Sequence, residues 1–429
     1  MTLTVMPKYD AYKDSGVEWL GEIPVDWNIK PGLVAFSENK RSNKGMKQDV
    51  VLSLSYGKII IKPADKLVGL VPESFETYQI VAPDDIIIRC TDLQNDQTSL
   101  RTGLANDHGI ITSAYLNLKV KGLYSARYLH YYLHALDTTK VIYRFGSGLR
   151  QNLSYLDFKR LPVFDISWET QAAIANFLDT KTAQIDEAIA IKEQQIALLN
   201  ERKQILIQQA VTQGLDPTVP MKDSGVEWIG KIPEHWEIKR LKYVLDERTE
   251  RSLTGEEPLF MVSQQYGLVV RADYHEKAVV SSSNIDSKIV YKNDLVFNKL
   301  KAHLGVFFKS NIDFKGLVSP DYAVYKTKAY IADTKILELL FRHPSYIGQF
   351  TIRATGIVEG LIRLYTSDLF DISIPIAPEA EQLKILAHAE KISKLFDNAI
   401  ELQKKQCEIL KEYKTTLINS AVTGKIKVV

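Results

Sequence analysis

Two stretches of this chain carry neither glycine nor proline and repeat their apolar residues at heptad spacing. In residues 169–212 the seam runs through Leu178, Ile185, Ile189, Ile196, Leu199, Leu206 and Ala210. In residues 380–423 it runs through Phe396, Ile400, Cys407, Leu410, Leu417 and Ala421, with Ile392 just off register. The Ala, Gln, Glu and Lys between these positions favour helix, so the pattern predicts two helices of roughly 65 Å each at 1.5 Å per residue. A helix of that length lying only on a globular core would need a broader apolar face, so the two are expected to pack on each other. Lys192, Lys203, Gln403 and Lys414 interrupt the seam. The rest of the chain changes period. Short β-branched runs bounded by Gly, Pro or Asp at 50–54, 59–61 and 86–88, and again at 260–262, 268–270 and 295–297, read as strands. One helix is expected in each region, at 125–136 and 334–341, followed by loops at 146–148 and 356–360.

These elements occur twice because the sequence does. Residues 14–30 read DSGVEWLGEIPVDWNIK and residues 223–239 read DSGVEWIGKIPEHWEIK. The two helical segments also align, from Gln171 and from Gln382, each closing on Ala-Val-Thr. Between these near-identical ends the middles diverge, with fainter echoes such as Asp85 to Arg89 against Asp294 to Asn298. A duplicated unit with constant ends and variable middles implies an α+β fold: two mixed α/β domains related by a pseudo-twofold and separated by the two long helices. Trp27 and Trp236, lying in the constant part, are expected to fill the base of each domain.

Composition narrows the function classes. The chain has 429 residues, 54 basic and 52 acidic, so its net charge does not by itself announce a polyanion partner. Two distant cysteines, Cys90 and Cys407, form no disulfide framework or zinc pattern. No apolar run approaches the roughly 18 residues of a membrane span, and the N-terminus lacks a signal-like apolar core; a cytoplasmic location is expected. No phosphate-binding loop, dinucleotide fingerprint, adenine-methyltransferase motif or metal-spaced histidines can be found. A binding module without its own catalytic or metal site is therefore expected.

Donor-rich loops follow corresponding strands in both variable regions. The first region offers Arg89, Thr91, Gln94, Asn95, Gln97 and Arg101, with Arg150 further on; the second offers Asn298, Lys299, Lys301 and His303, with Arg363 further on. The segment Ser53 to Gly57, with Ser55 and Tyr56 and then Lys58, matches Ser263 to Gly267, which carries Gln264, Gln265 and Tyr266. Arg, Gln and Asn pair with base edges, and Lys neutralises phosphate, so these residues are the candidate double-stranded DNA contacts.

The duplicated DSGVEW…IP…W motif and the paired helices resemble the two constant regions of specificity subunits of type I restriction-modification systems, over essentially the whole chain. That resemblance implies target recognition domains within residues 1–162 and 215–375, each reading one half of a bipartite, asymmetric DNA sequence. It implies spacer helices within 163–214 and 376–429, running antiparallel as a coiled coil and docking two modification (methyltransferase) subunits. It also implies that the partner subunits, among them restriction/translocase subunits, hold the S-adenosylmethionine, ATP and Mg that methylation or restriction requires. The alternative left by the residues themselves is a twin-domain scaffold that binds proteins.

Overall fold

A computed structural model describes residues 6–63, 74–96, 98–145, 152–264, 266–274, 284–356 and 363–428. Its helices are α1 (Ala126–Thr138), α2 (Tyr155–Arg160), α3 (Trp168–Gln213), α4 (Lys335–Leu340), α5 (Pro344–Arg353), α6 (Thr366–Phe370) and α7 (Glu379–Val422). The chain divides into two units, Met1–Glu193 with Lys404–Val429, and Gln194–Gln403. The division runs through both long helices, whereas the sequence suggested separate helical spacers. The reason is packing: Ile174, Leu178, Ile185 and Ile189 of α3 join Leu417, Ile418 and Ala421 of α7 in the first unit's core.

In the first unit a four-stranded antiparallel sheet has the order Phe36–Glu38, Leu116–Val120, Asp85–Ile88, Thr102–Leu104. Asp85–Ile88 is central and buried along its whole length, which explains the apolar run of Ile86, Ile87 and Ile88. A hairpin, Leu52–Ser55 with Lys58–Ile61, stands apart from that sheet in its pairing. Helix α1 starts on the Ser125 cap and buries Tyr128, Leu129, Tyr132 and Leu133, positions that recur with helical period.

The second unit repeats this plan. Its sheet has the order Leu245–Glu247, Tyr322–Thr327, Leu295–Asn298, Phe307–Lys309, and its hairpin pairs Phe260–Ser263 with Gly267–Val270. The core is more aromatic, with Phe297, Phe307, Phe341 and Phe350 in mutual contact. The expected 334–341 helix is α4, but α5 and α6 follow where the sequence was not read as helical. Pro344 in the first turn and the His343 cap start α5.

Trp27 and Trp236 are buried, as expected from the constant motifs. Each lies against the glycine that ends a long helix. Gly424, just past α7, has φ +72, and a β-carbon there would lie 3.1 Å from Trp27; Gly214, just past α3, has φ +78, with Trp236 at 3.6 Å. Only a residue free to adopt the left-handed conformation closes these helices so tightly.

The heptad seam is graded. Ile185, Ile189 and Leu417 in the first unit and Ile400 in the second are buried, whereas Ile196, Leu199, Leu206, Phe396 and Leu410 are half-buried. The lysines that interrupt it cross to the other helix. In the first unit Lys414 meets Asp186 at 2.7 Å and Lys192 donates to Gln406; in the second Lys203 meets Asp397 at 2.8 Å. In each unit rising numbers on one helix meet falling numbers on the other, so the pair is antiparallel.

Candidate nucleic-acid interface

In the first unit the central strand Asp85–Ile88 delivers the chain to a loop that runs from Arg89 to Arg101. Arg101 organises it. Its side chain is completely buried; Nη1 donates to the carbonyls of Thr91 at 2.8 Å and Arg89 at 3.3 Å, and Nη2 to those of Asp92 at 3.2 Å and Asp96. Nε donates to the Tyr143 hydroxyl at 3.0 Å, and the backbone N–H donates to Asp137 at 2.6 Å. A guanidinium has five donors, and all five are committed here. The expectation that Arg101 touches DNA is therefore corrected, because no donor and no exposed surface remain.

Among the described residues the loop presents Thr91, Gln94, Asn95 and Thr98 to solvent. Asn95 is turned by a hydrogen bond from its amide to Asp92 at 2.7 Å. Arg89 is half-buried and paired with Asp96 at 2.9 Å. Hydrogen bonds from Ser99, the backbone N–H first, hold the Asp96 carboxyl well below the usual carboxylate range, so the pair stays charged across ordinary pH. Arg89 would have to exchange this partner to reach a base edge. Gln97 and Arg150 lie outside the described residues.

The hairpin tip joins this loop. Ser55 and Lys58 face each other across the turn, and Tyr56 and Gly57 form it at φ +47 and +76. A β-carbon on Gly57 would lie 3.0 Å from Leu100, so the turn is seated directly on the end of the Arg89–Arg101 loop. Two segments far apart in sequence thus share one end of the unit.

The second unit builds the corresponding end differently. Asn298 closes the central strand and caps the turn Lys299–Leu304, accepting the Leu300 N–H at 2.9 Å. Lys301 is exposed and His303 half-buried, while Lys299 is drawn toward Glu247 at 3.7 Å. The segment carrying Arg363 comes alongside, since the Leu364 N–H donates to the Lys299 carbonyl at 3.1 Å. Arg363 itself is held by Asp321 at 2.7 Å. Gln264 and Tyr266 are exposed on the hairpin tip, with Gly267 seated on Phe308; Gln265 lies outside the described residues. The edge strand is pinned by the same device in both units: Lys309 N–H donates to Glu338 at 3.0 Å as Arg101 N–H does to Asp137.

One basic group escaped the sequence reading. Lys44 and Lys47, between Phe36–Glu38 and Leu52–Ser55, are exposed and have no ion-pair partner among the described residues, whereas their neighbour Arg41 is spent on buried Asp85 at 2.5 Å. The run KRSNKGMK was the available signal. Among the described residues no helix is long and apolar enough to cross a membrane, and no cluster of three His, Cys, Asp or Glu side chains could hold a metal ion.

No protein-family model matches the chain. It is similar to the type I restriction enzyme MjaVIII specificity subunit of Methanocaldococcus jannaschii, at 25% identity over 75% of this chain and 75% of that protein. It is also similar to the putative type I restriction enzyme MjaX specificity subunit of the same organism, at 23% identity over 95% of this chain and 96% of the relative. A chain from a structure of a type I restriction-modification system, described in terms of its complex assembly and conformational transition, superposes with a TM-score of 0.65. It has 14% identity and covers 93% of this chain and 98% of its own. The α+β fold class read from the sequence therefore holds, and the resemblance carried by the duplicated motifs is repeated in whole-chain relatives.

Proposed function

We propose that this chain is the DNA sequence-specificity subunit of a type I restriction-modification complex, a recognition protein that leaves the chemistry to its partners. One observation carries the reading. The same sheet and hairpin are built twice, yet the loops at corresponding ends carry different donors, Thr91, Gln94 and Asn95 in one unit and Asn298, Lys301 and His303 in the other. A constant frame with different hydrogen-bonding surfaces suits a bipartite, asymmetric site, one half per unit, in which base contacts specify and lysines such as Lys44, Lys47 and Lys58 meet phosphates.

Partner docking has support of its own. Ile191 and Leu198 on α3, and Leu395, Leu402 and Ile409 on α7, are exposed at heptad spacing. Large apolar side chains repeated along a helix surface suit the helical elements of another subunit. On this reading two modification subunits, which would use S-adenosylmethionine to methylate adenine, and restriction/translocase subunits, which would use ATP and Mg, act where this chain positions them. The cytoplasm, where DNA is, is the corresponding location.

The test is a domain exchange. Replacing residues 31–159 by the corresponding region of a related protein should change one half of the methylated sequence and leave the other intact, read by long-read methylome sequencing. A change in both halves at once, or no sequence-selective methylation by the unaltered complex, overturns the proposal. The protein-binding scaffold would instead show partner binding with no DNA selectivity in a mobility-shift assay.

A further inference from the structure

Both hairpins end on the dipeptide Tyr-Gly, and in both the tyrosine is thrown outward. Tyr56 is 93% exposed, the highest value for any large apolar residue among those described, and Tyr266 is 53% exposed. Neither burial nor hydrogen bonding explains Tyr56, whose hydroxyl has no partner among the described residues. Its backbone argues further. A two-residue turn with both φ values positive favours Asn-Gly, and φ +47 is unfavourable for a tyrosine. A residue held against local preference, with no packing to compensate, points to a role outside the fold.

Both tips lie against the sheet. Gly57 sits on Leu100 and Gly267 sits on Phe308, so each tip is braced beside the end of the sheet that carries the donor-rich loop. Tyr266 has its ring 4.8 Å from that of Tyr274, inclined by 36°, and both rings are exposed. The residues around the tips differ, SLSYGK in one unit and SQQYGL in the other, but the tyrosine does not. A side chain shared by two surfaces that read different sequences cannot supply the discrimination between them. An aromatic ring can, however, stack on any nucleobase, because every base has a π-face.

Resting on the reading of the chain as a DNA-recognition subunit, we propose that Tyr56 and Tyr266 are stacking residues that place a ring against a nucleobase face at each half-site. They add affinity without adding identity, and they part a base step where the ring enters.

The test uses the chain assembled with its modification subunits and a duplex containing its methylated sequence, with 2-aminopurine substituted within the first half-site. Tyr56→Phe should bind within about threefold of the unaltered complex, since the ring remains. Tyr56→Ala and Tyr56→Asn should lose roughly ten- to hundred-fold in affinity and abolish the 2-aminopurine fluorescence rise, with the methylated consensus unchanged. Tyr56→Asn should at the same time raise the melting temperature, because Asn suits the left-handed turn; loss of binding with a more stable fold is a result that misfolding cannot give. Parent-like binding by the Ala and Asn variants overturns the inference. So does a Phe variant as weak as Ala, which would make the hydroxyl the contact. A consensus altered at one base pair, or a defect confined to assembly with the modification subunits, overturns it as well. If the unaltered complex shows no sequence-selective binding, the reading of the whole chain falls, and this inference with it; selective binding that is indifferent to Tyr56 sinks the inference alone.

Discussion

Replacing Arg101 by Met separates the architecture of the Arg89–Arg101 loop from the readout proposed for it. Met keeps much of the length and apolar stem of arginine but has no donor. The change removes the hydrogen bonds to the carbonyls of Arg89, Thr91, Asp92 and Asp96 and to the Tyr143 hydroxyl, from a side chain with no solvent exposure. Hydrogen bonds from a charged donor contribute about 1.5–3 kcal/mol each, but the outer part of this loop can take up water once released, so the terms do not add fully. A net loss of about 3–5 kcal/mol is the expectation for breaking a buried charged network. In a unit of this size that lowers the melting temperature by roughly 6–20 °C. Scanning calorimetry gives the midpoint, and hydrogen exchange should show protection lost first in residues 89–96. Arg89→Ala is the counterpart. Its partner Asp96 is partly solvated, so stability should move by under about 1 kcal/mol, while specificity relaxes at one base pair if Arg89 leaves Asp96 for a base edge. An Arg101→Met protein that melts like the parent but misreads its site would refute the assignment of Arg101 to the loop's interior.

Two further substitutions and one titration check other parts of the account. Gly424→Ala should cost about 2–4 kcal/mol, since a β-carbon would add left-handed strain and lie 2.5 Å from the Pro24 ring; Gly214→Ala should cost less, about 1–2 kcal/mol, because the nearest atom, at 2.9 Å, is a carboxylate oxygen of Glu381 that can shift a few tenths of an ångström while its other oxygen keeps Trp236 and His235. Equal losses in urea denaturation would show that the IP-x-x-W motif does not clamp the end of α7 as described. His130 and His134, one turn apart on α1, are both lowered to about 4 by burial, with His134 also facing Lys414. Their folded pKa lies below the unfolded value of about 6.5, so the unfolded chain takes up protons first and stability falls as pH drops from 6.5 toward 4. Each should cost about 1–2 kcal/mol at pH 5, and His134→Gln should flatten the decline; identical urea midpoints at pH 7.5 and pH 5 would contradict the burial of both rings.

Legibility followed the physics of each signal. The long helices were readable to within about a residue because heptad periodicity and the absence of Gly and Pro act over many turns, and α3 and α7 end on glycines that the sequence displays. The central strands were readable because burial on both faces leaves an unbroken apolar run such as Ile86–Ile88. Helix α5 was not, because ten residues with Gly348 inside them carry a weak period that only packing of Tyr346 and Phe350 stabilises. The interface divided along a different line. Residue type indicates what a side chain can donate, and the repeat indicates which loops correspond, but neither says which donors face water. Arg101 and Arg89 stand in one loop with the same chemistry; one is spent on four carbonyls inside the unit and the other remains at its edge. Tyr56 was legible as a candidate contact from its place beside a strand and before a glycine, but its positive φ and almost complete exposure were not. On the proposed reading, recognition depends on a division of labour among like residues: some arginines and asparagines are consumed in giving the loops a shape, and the few left exposed acquire direction from that shape.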